Sequence, residues 1–143
     1  MSREGPGDHV VLDRVYEGTT NTLRIARNDV VECLVAHAAD QDVRDRAELV
    51  ASELATNAIQ ASPGAAYGVR VSFDGDGSVV MAVTSSSETD MPPPREAWGP
   101  VTAVAPRGRG LLIVGKLTDA VDIKQPTVGT IVVTATFRAQ PSG

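Results

Sequence analysis

The apolar residues of this chain change their period at Ser62-Pro63-Gly64. Before that point Val43, Ala47, Val50, Ala51, Leu54, Ala58 and Ala61 recur every three or four residues, the spacing that lines one side of a helix. After it Tyr67, Val69, Val71 and Phe73 alternate with small or polar residues, the spacing of a half-buried strand. A sequence with one period on each side of a Pro-Gly breaker cannot be all-helical or all-β. It has to place a helical layer against a sheet.

The remaining segments extend that pattern. His9 to Tyr16 reads as a strand through Val10, Val11, Leu12 and Val15. Gly18-Thr19-Thr20-Asn21 supplies capping residues for a helix over 21–38, with Leu23, Ala26, Val30, Leu34 and Ala38 on one stripe. Asp40 can cap the second helix, 41–61. Asp74-Gly75-Asp76-Gly77 turns a hairpin into Val79, Met81 and Val83. Residues 84–107 are polar and then rich in proline, and read as a long irregular loop of the kind that usually carries function. A short helix over 108–118 follows. Ala120–Lys124 and Thr130–Arg138 then form a last hairpin through Gln125–Gly129. The predicted fold is a two-layer α/β sandwich with a mixed, largely antiparallel sheet and its helices on one face. One domain over 9–138 accounts for the pattern, with tails at 1–8 and 139–143.

Bulk properties remove several functions. At 143 residues a single domain is the default. An aromatic share of 3% means that the core must be built from aliphatic side chains. A net charge of −5 argues against a nucleic-acid surface, which needs clustered cations. Cys33 is the only cysteine, so neither an internal disulfide nor a cysteine-based zinc site can form. No apolar run reaches membrane-spanning length and residues 1–8 lack the apolar stretch of a signal peptide, so a cytoplasmic protein is expected.

Two stretches carry chemistry. In Glu53-Leu54-Ala55-Thr56-Asn57-Ala58 a carboxylate and a carboxamide stand one helical turn apart. Projected on the helix, both fall just off the edge of the apolar stripe, where a ligand between helix and sheet can reach them. An asparagine oxygen suits Mg²⁺, a hard cation that keeps several waters beside phosphate oxygens. A glutamate can take the proton from a hydroxyl that attacks phosphorus. Taken alone, the pair reads more readily as ordinary polar residues at the margin of an amphipathic helix, since short motifs match by chance. In Arg107-Gly108-Arg109-Gly110-Leu111-Leu112 two glycines open an apolar helix, which lets main-chain amides approach a phosphate. It is neither a dinucleotide fingerprint nor a P-loop, and a flexible helix entry explains it as well. Cys33, His37 and His9 read as packing or surface residues, and Trp98 as a loop anchor or a partner contact.

Taken together, Ser52-Glu53-Leu54-Ala55-Thr56-Asn57-Ala58, the hairpin, the long loop and Gly108-Arg109-Gly110-Leu111-Leu112 resemble the ATP-binding domain of gyrase, histidine kinases and mismatch-repair ATPases. The wording is most similar to the single-domain anti-sigma-factor serine kinases of bacteria, over residues 10 to 138. The resemblance implies Glu53 as general base and Asn57 as the Mg²⁺ ligand on ATP. It also implies 86–106 as the ATP lid, and Gly108, Arg109, Gly110 and Leu111 as phosphate holders. Thr130 would lie near the adenine. The implied partners are a sigma factor and an anti-anti-sigma factor, with a possible homodimer and no nucleic acid or membrane. The chain departs from the family at Ser85 and Ser87, where the family has the Asp and first Gly of Asp-x-Gly-x-Gly. Ser85 keeps a hydrogen-bond acceptor for the adenine amino group but loses the charge. The alternative is a non-catalytic module that sequesters a regulatory partner after weakening nucleotide binding. A metabolic hydrolase using Glu53 fits less well, since no substrate-binding insertion exists beyond the loop.

Overall fold

The computed structural model describes residues 9–86 and 114–138. The elements run β1 (His9–Gly18), α1 (Asn21–Ala36), α2 (Gln41–Ala61), β2 (Gly64–Phe73), β3 (Val79–Ser86), β4 (Ala120–Thr127) and β5 (Thr130–Phe137). A helical turn over 114–117 precedes β4. The five strands form one sheet in the order β1-β2-β3-β5-β4, and every pairing is antiparallel. The expected mixture of directions is absent among the described residues.

Both helices lie where their apolar stripes demand. On α1, Ala26, Val30 and Leu34 are buried. On α2, Val43, Ala47, Val50, Ala51, Leu54, Ala55, Ala58 and Ile59 are buried against alternate residues of the sheet, among them Tyr67, Val69, Val71, Met81, Val83, Ile131 and Ala135. The other side of each strand carries Val15, Thr84, Val132 and Thr134, and no described helix covers it. The core is thus one aliphatic slab with two stacked tyrosines at one end. No helix among the described residues is long and apolar enough to cross a membrane.

Several boundaries differ from expectation for identifiable reasons. Helix α1 stops at Ala36 because Ala38 turns left-handed, at φ 60°, which brings the Ala39 amide to the Leu34 carbonyl at 3.0 Å. Asp40 occupies the cap position of α2, but its side chain makes no capping bond; its carbonyl accepts the Arg44 amide instead. Strand β3 continues through Thr84, Ser85 and Ser86 rather than opening into a loop, because β5 offers partners as far as Thr130. The β1–β2 ladder runs on to Gly18 and Gly64, and a methyl group at Gly18 would meet the Ala65 carbonyl oxygen at 2.1 Å. Of the helix expected over 108–118, the turn at 114–117 is present and 108–113 lie outside the described residues.

Candidate functional site

Helix α2 runs from the β2–β3 hairpin end of the sheet to the end where β3 finishes and β5 begins. Glu53 and Asn57 sit in its second half, both partly exposed at the edge of the buried stripe. Glu53 is separated from Asn57 by one turn, and the intervening Thr56 hydroxyl bonds back to the Ser52 carbonyl at 2.7 Å. The Asn57 amide nitrogen is sealed from solvent and has no hydrogen-bond partner among the described residues. A buried donor left in that state costs about 1–3 kcal/mol, so a chain that keeps one has a reason to. The two buried arginine nitrogens in the same condition differ, because their guanidinium groups engage Glu48 and Gln41.

Ser85 and Thr130, the residues expected near the base, come from the adjacent ends of β3 and β5. Ser85 pairs with Ile131 and shares the parity of Val79, Met81 and Val83, so it lies on the helix-facing side with Asn57 and Glu53. Thr130 pairs with Ser86 and has the opposite parity. It lines an open cleft of about 340 Å³ at this end of the sheet together with Asp13, Val15, Tyr67, Thr84, Ser85 and Ser86. Ser85 and Thr130 thus meet at one cleft although they alternate in strand parity. Gly108, Arg109, Gly110 and Leu111, the loop 87–106, Ser87 and Trp98 lie outside the described residues.

Polar contacts at the same end of the fold had no signal in local sequence. Tyr16 stacks on Tyr67 with ring centroids 5.6 Å apart, and its hydroxyl donates to Asp29 at 2.7 Å. Asp29 also accepts from Arg14 at 2.7 Å, and the Tyr67 hydroxyl lies 2.8 Å from that of Thr22. Burial, reinforced by the Asp29 carboxylate, raises the Tyr16 phenol above its ordinary range; burial raises Tyr67 likewise. Both tyrosines are neutral hydrogen-bonding walls at physiological pH. Near the start of α2, Arg46 reaches out of the helix to the carbonyl of Leu117 at 2.9 Å.

The histidine kinase-like ATPase domain family matches residues 16–136, nearly all of the described chain. The chain belongs to that family. Within the ATPase fold, the RsbU and RsbW domains of Rv1364c from Mycobacterium tuberculosis superpose with a TM-score of 0.65 at 20% identity, covering 92% of this chain. This chain spans about a third of that protein's length (34%). The SiaB-SiaC complex from Pseudomonas aeruginosa gives a TM-score of 0.64 at 16% identity, covering 90% of each chain. No curated protein matches in sequence. For an ATPase-fold protein the Asn57 geometry fits the expected ligand. Its oxygen is a donor of the type Mg²⁺ takes, and its buried, unpartnered N–H groups need an acceptor such as a phosphate oxygen.

Proposed function

We propose that this ATPase-fold protein is a cytoplasmic, anti-sigma-factor-like regulator of bacterial type that binds Mg-ATP and phosphorylates a serine of an anti-anti-sigma partner. A sigma factor is its alternate partner. The observation that carries the reading is the Asn57 amide, buried without a partner and beside a carboxylate one turn away. Two relatives in fold, the RsbW domain and SiaB, support the choice of partner class, since SiaB is found in complex with SiaC.

In this mechanism Asn57 orients the triphosphate and its cation, and Glu53 accepts the proton of the partner's serine hydroxyl. The serine oxygen forms its bond to the γ-phosphorus as the bond to the β-phosphate oxygen breaks, and ADP leaves. Bound Mg²⁺ supplies neutralisation of the phosphate charge. Gly108, Arg109, Gly110 and Leu111 are assigned to the phosphates, and Ser85 accepts from the adenine amino group. Thr130, which lines a cleft with Ser85, is assigned a place near the adenine. Purified protein, candidate partner and labelled ATP test this: label should reach the partner, and Glu53→Gln should abolish transfer while leaving ATP bound. Transfer that survives Glu53→Gln undiminished removes Glu53 from the mechanism.

Ser85 favours a second reading, a binding module that sequesters its partner with little use of nucleotide. Replacing a carboxylate by a hydroxyl as acceptor in a buried pocket forfeits roughly 1.5–3 kcal/mol, about ten- to a hundredfold in affinity. Calorimetry separates the two readings. Weak Mg-ATP binding that Ser85→Asp tightens, with GTP unchanged, places the chain nearer the module. Tight adenine-selective binding by the natural sequence restores the kinase.

A further inference from the structure

The chain is poor in aromatic side chains, yet its two phenylalanines and two histidines gather at one end of the fold. There the α1–α2 connection, the start of α2, the β2–β3 hairpin and the last residue of β5 surround an open cavity of about 340 Å³. Val43, Val79 and Phe137, all buried, line it together with Phe73. The exposed His37 stands at its mouth, with its ring centroid 5.8 Å from that of Phe73 and 5.6 Å from that of His9. Ligand pockets run from about 300 to 1,000 Å³, so this one suits a small molecule. A helix rises about 1.5 Å per residue, which puts Asp40, before α2, about 25 Å from Asn57. The cavity is separate from the candidate nucleotide site.

The polar side chains of the lining are acceptors. His37 Nδ1 lies 2.8 Å from the Cys33 carbonyl. A carbonyl can only accept, so Nδ1 carries the hydrogen and the neutral ring presents Nε2 as an acceptor. Asp40 also lines the cavity; its carboxylate caps no amide of α2 and enters no ion pair among the described residues. A helix start favours an anion, but the full charge of Asp40 outweighs the half-charge of the helix end. Asp74 and Asp76, in the turn that brings Gly77 to the lining, add negative charge nearby. Arg46, 5.7 Å from the centre of the Phe137 ring, is matched by Asp42 at 3.0 Å and Asp119 at 3.8 Å. The amides of Ala38, Ala39 and Gly77 are already bonded to the carbonyls of Val35, Leu34 and Asp74. An apolar floor beneath two acceptors and a net negative charge selects a ligand with an apolar body, hydrogen-bond donors and a positive charge.

We propose that this cavity is a second ligand site, for a small primary amine that carries an aromatic or branched apolar group. The ammonium donates to the Asp40 carboxylate and to His37 Nε2, and the apolar group packs on Phe73, Phe137 and Val79. This site stands independently of ATP binding at Asn57. The full chain, titrated with 2-phenylethylamine and followed by amide NMR shifts, tests it. Saturable shifts are expected over 37–43, 73–79 and 137, with a Kd of about 1 mM or tighter. Phenylacetate, of similar shape and opposite charge, should leave those residues unmoved at the same concentrations. Asp40→Asn keeps a good capping residue while removing the charge, and should weaken the amine about tenfold or more. His37→Phe keeps the aromatic ring and loses the acceptor, for a loss of roughly two- to tenfold. Each variant's amide spectrum without ligand reports whether the fold is retained. Shifts that do not saturate or that lie elsewhere, equal binding of phenylacetate, or undiminished amine affinity in both variants would overturn the site.

Discussion

Asn57 faces two opposing demands. As a folded-state residue it is a liability, because its amide nitrogen is buried with no partner. As a ligand-binding residue it has the acceptor and donors that a metal-bound phosphate needs. Asn57→Ala should therefore leave the nucleotide-free protein as stable as wild type or stabilise it by about 1 kcal/mol, while abolishing Mg-ATP binding. Thermal unfolding with and without Mg-ATP reads both effects, and a clear loss of stability in the free protein would mark Asn57 as structural. Cys33 shows a simpler kind of burial. Its thiol packs at the edge of the core, bonds to the Val30 carbonyl at 3.1 Å, and is pushed up to about 11 by burial and then by Asp29. The folded chain thus holds the proton more tightly than the unfolded one, whose thiol titrates near 9. The resulting stability is fully present below about pH 9 and is lost as pH rises toward 11. Urea midpoints of wild type should fall across that window more steeply than those of Cys33→Ala.

At the scale of elements, α1 ends in a way that costs stability. Ala38 adopts φ 60° to let Ala39 close the helix on the Leu34 carbonyl, a conformation that glycine reaches without a Cβ penalty. Ala38→Gly should stabilise the protein by roughly 0.4–1 kcal/mol, the usual size of such backbone effects, measured as a higher urea midpoint at unchanged slope. The neighbouring hairpins follow the same logic of local backbone need. The Asp74 carboxylate accepts the amides of Asp76 and Ser78 to shape the β2–β3 turn. Gly129, at φ 86°, turns β4 into β5 directly after Val128. Pro126, which has no amide to donate, falls at the irregular step of β4, an edge strand where the missing bond is tolerated.

For the molecule as a whole, the sheet is two-faced in chemistry as well as in layering. Its helix side is aliphatic. Its outer side is centred on Ala82, Thr84, Val132 and Thr134, with the charged pairs Arg70–Asp13 and Lys124–Asp122 at its margins. An uncharged centre with paired charges around it suits self-association about a two-fold axis, where the same patch serves both partners. The homodimer implied by the family resemblance is accordingly predicted to pack through this side. Sedimentation should give a dimer for wild type and a monomer for Ala82→Arg, with ATP binding retained in both. A monomeric wild type, or a dimer untouched by the arginine, would place the contact elsewhere or remove it.

Local periodicity was enough to determine which segments are helices and which are strands, and that Glu53 and Asn57 share a side of α2. Each of those facts depends only on residues within a turn or two, and helix geometry converts spacing directly into position. The family wording around Glu53–Asn57 and Gly108–Leu111 was legible for the same reason: its parts are contiguous. What needed the tertiary structure were matters of partnership across the chain. The insertion of β5 between β3 and β4 lengthened β3 to Ser86 and brought Ser85 and Thr130 to one cleft. His9 found the His37 ring, with centroids 5.6 Å apart, only because β1 and the end of α1 meet. Arg46 reads in sequence as one more charged residue on an amphipathic helix. Its hold on Leu117 exists because the fold carries residues 71 positions apart to within a hydrogen bond, and no spacing rule along the chain encodes that.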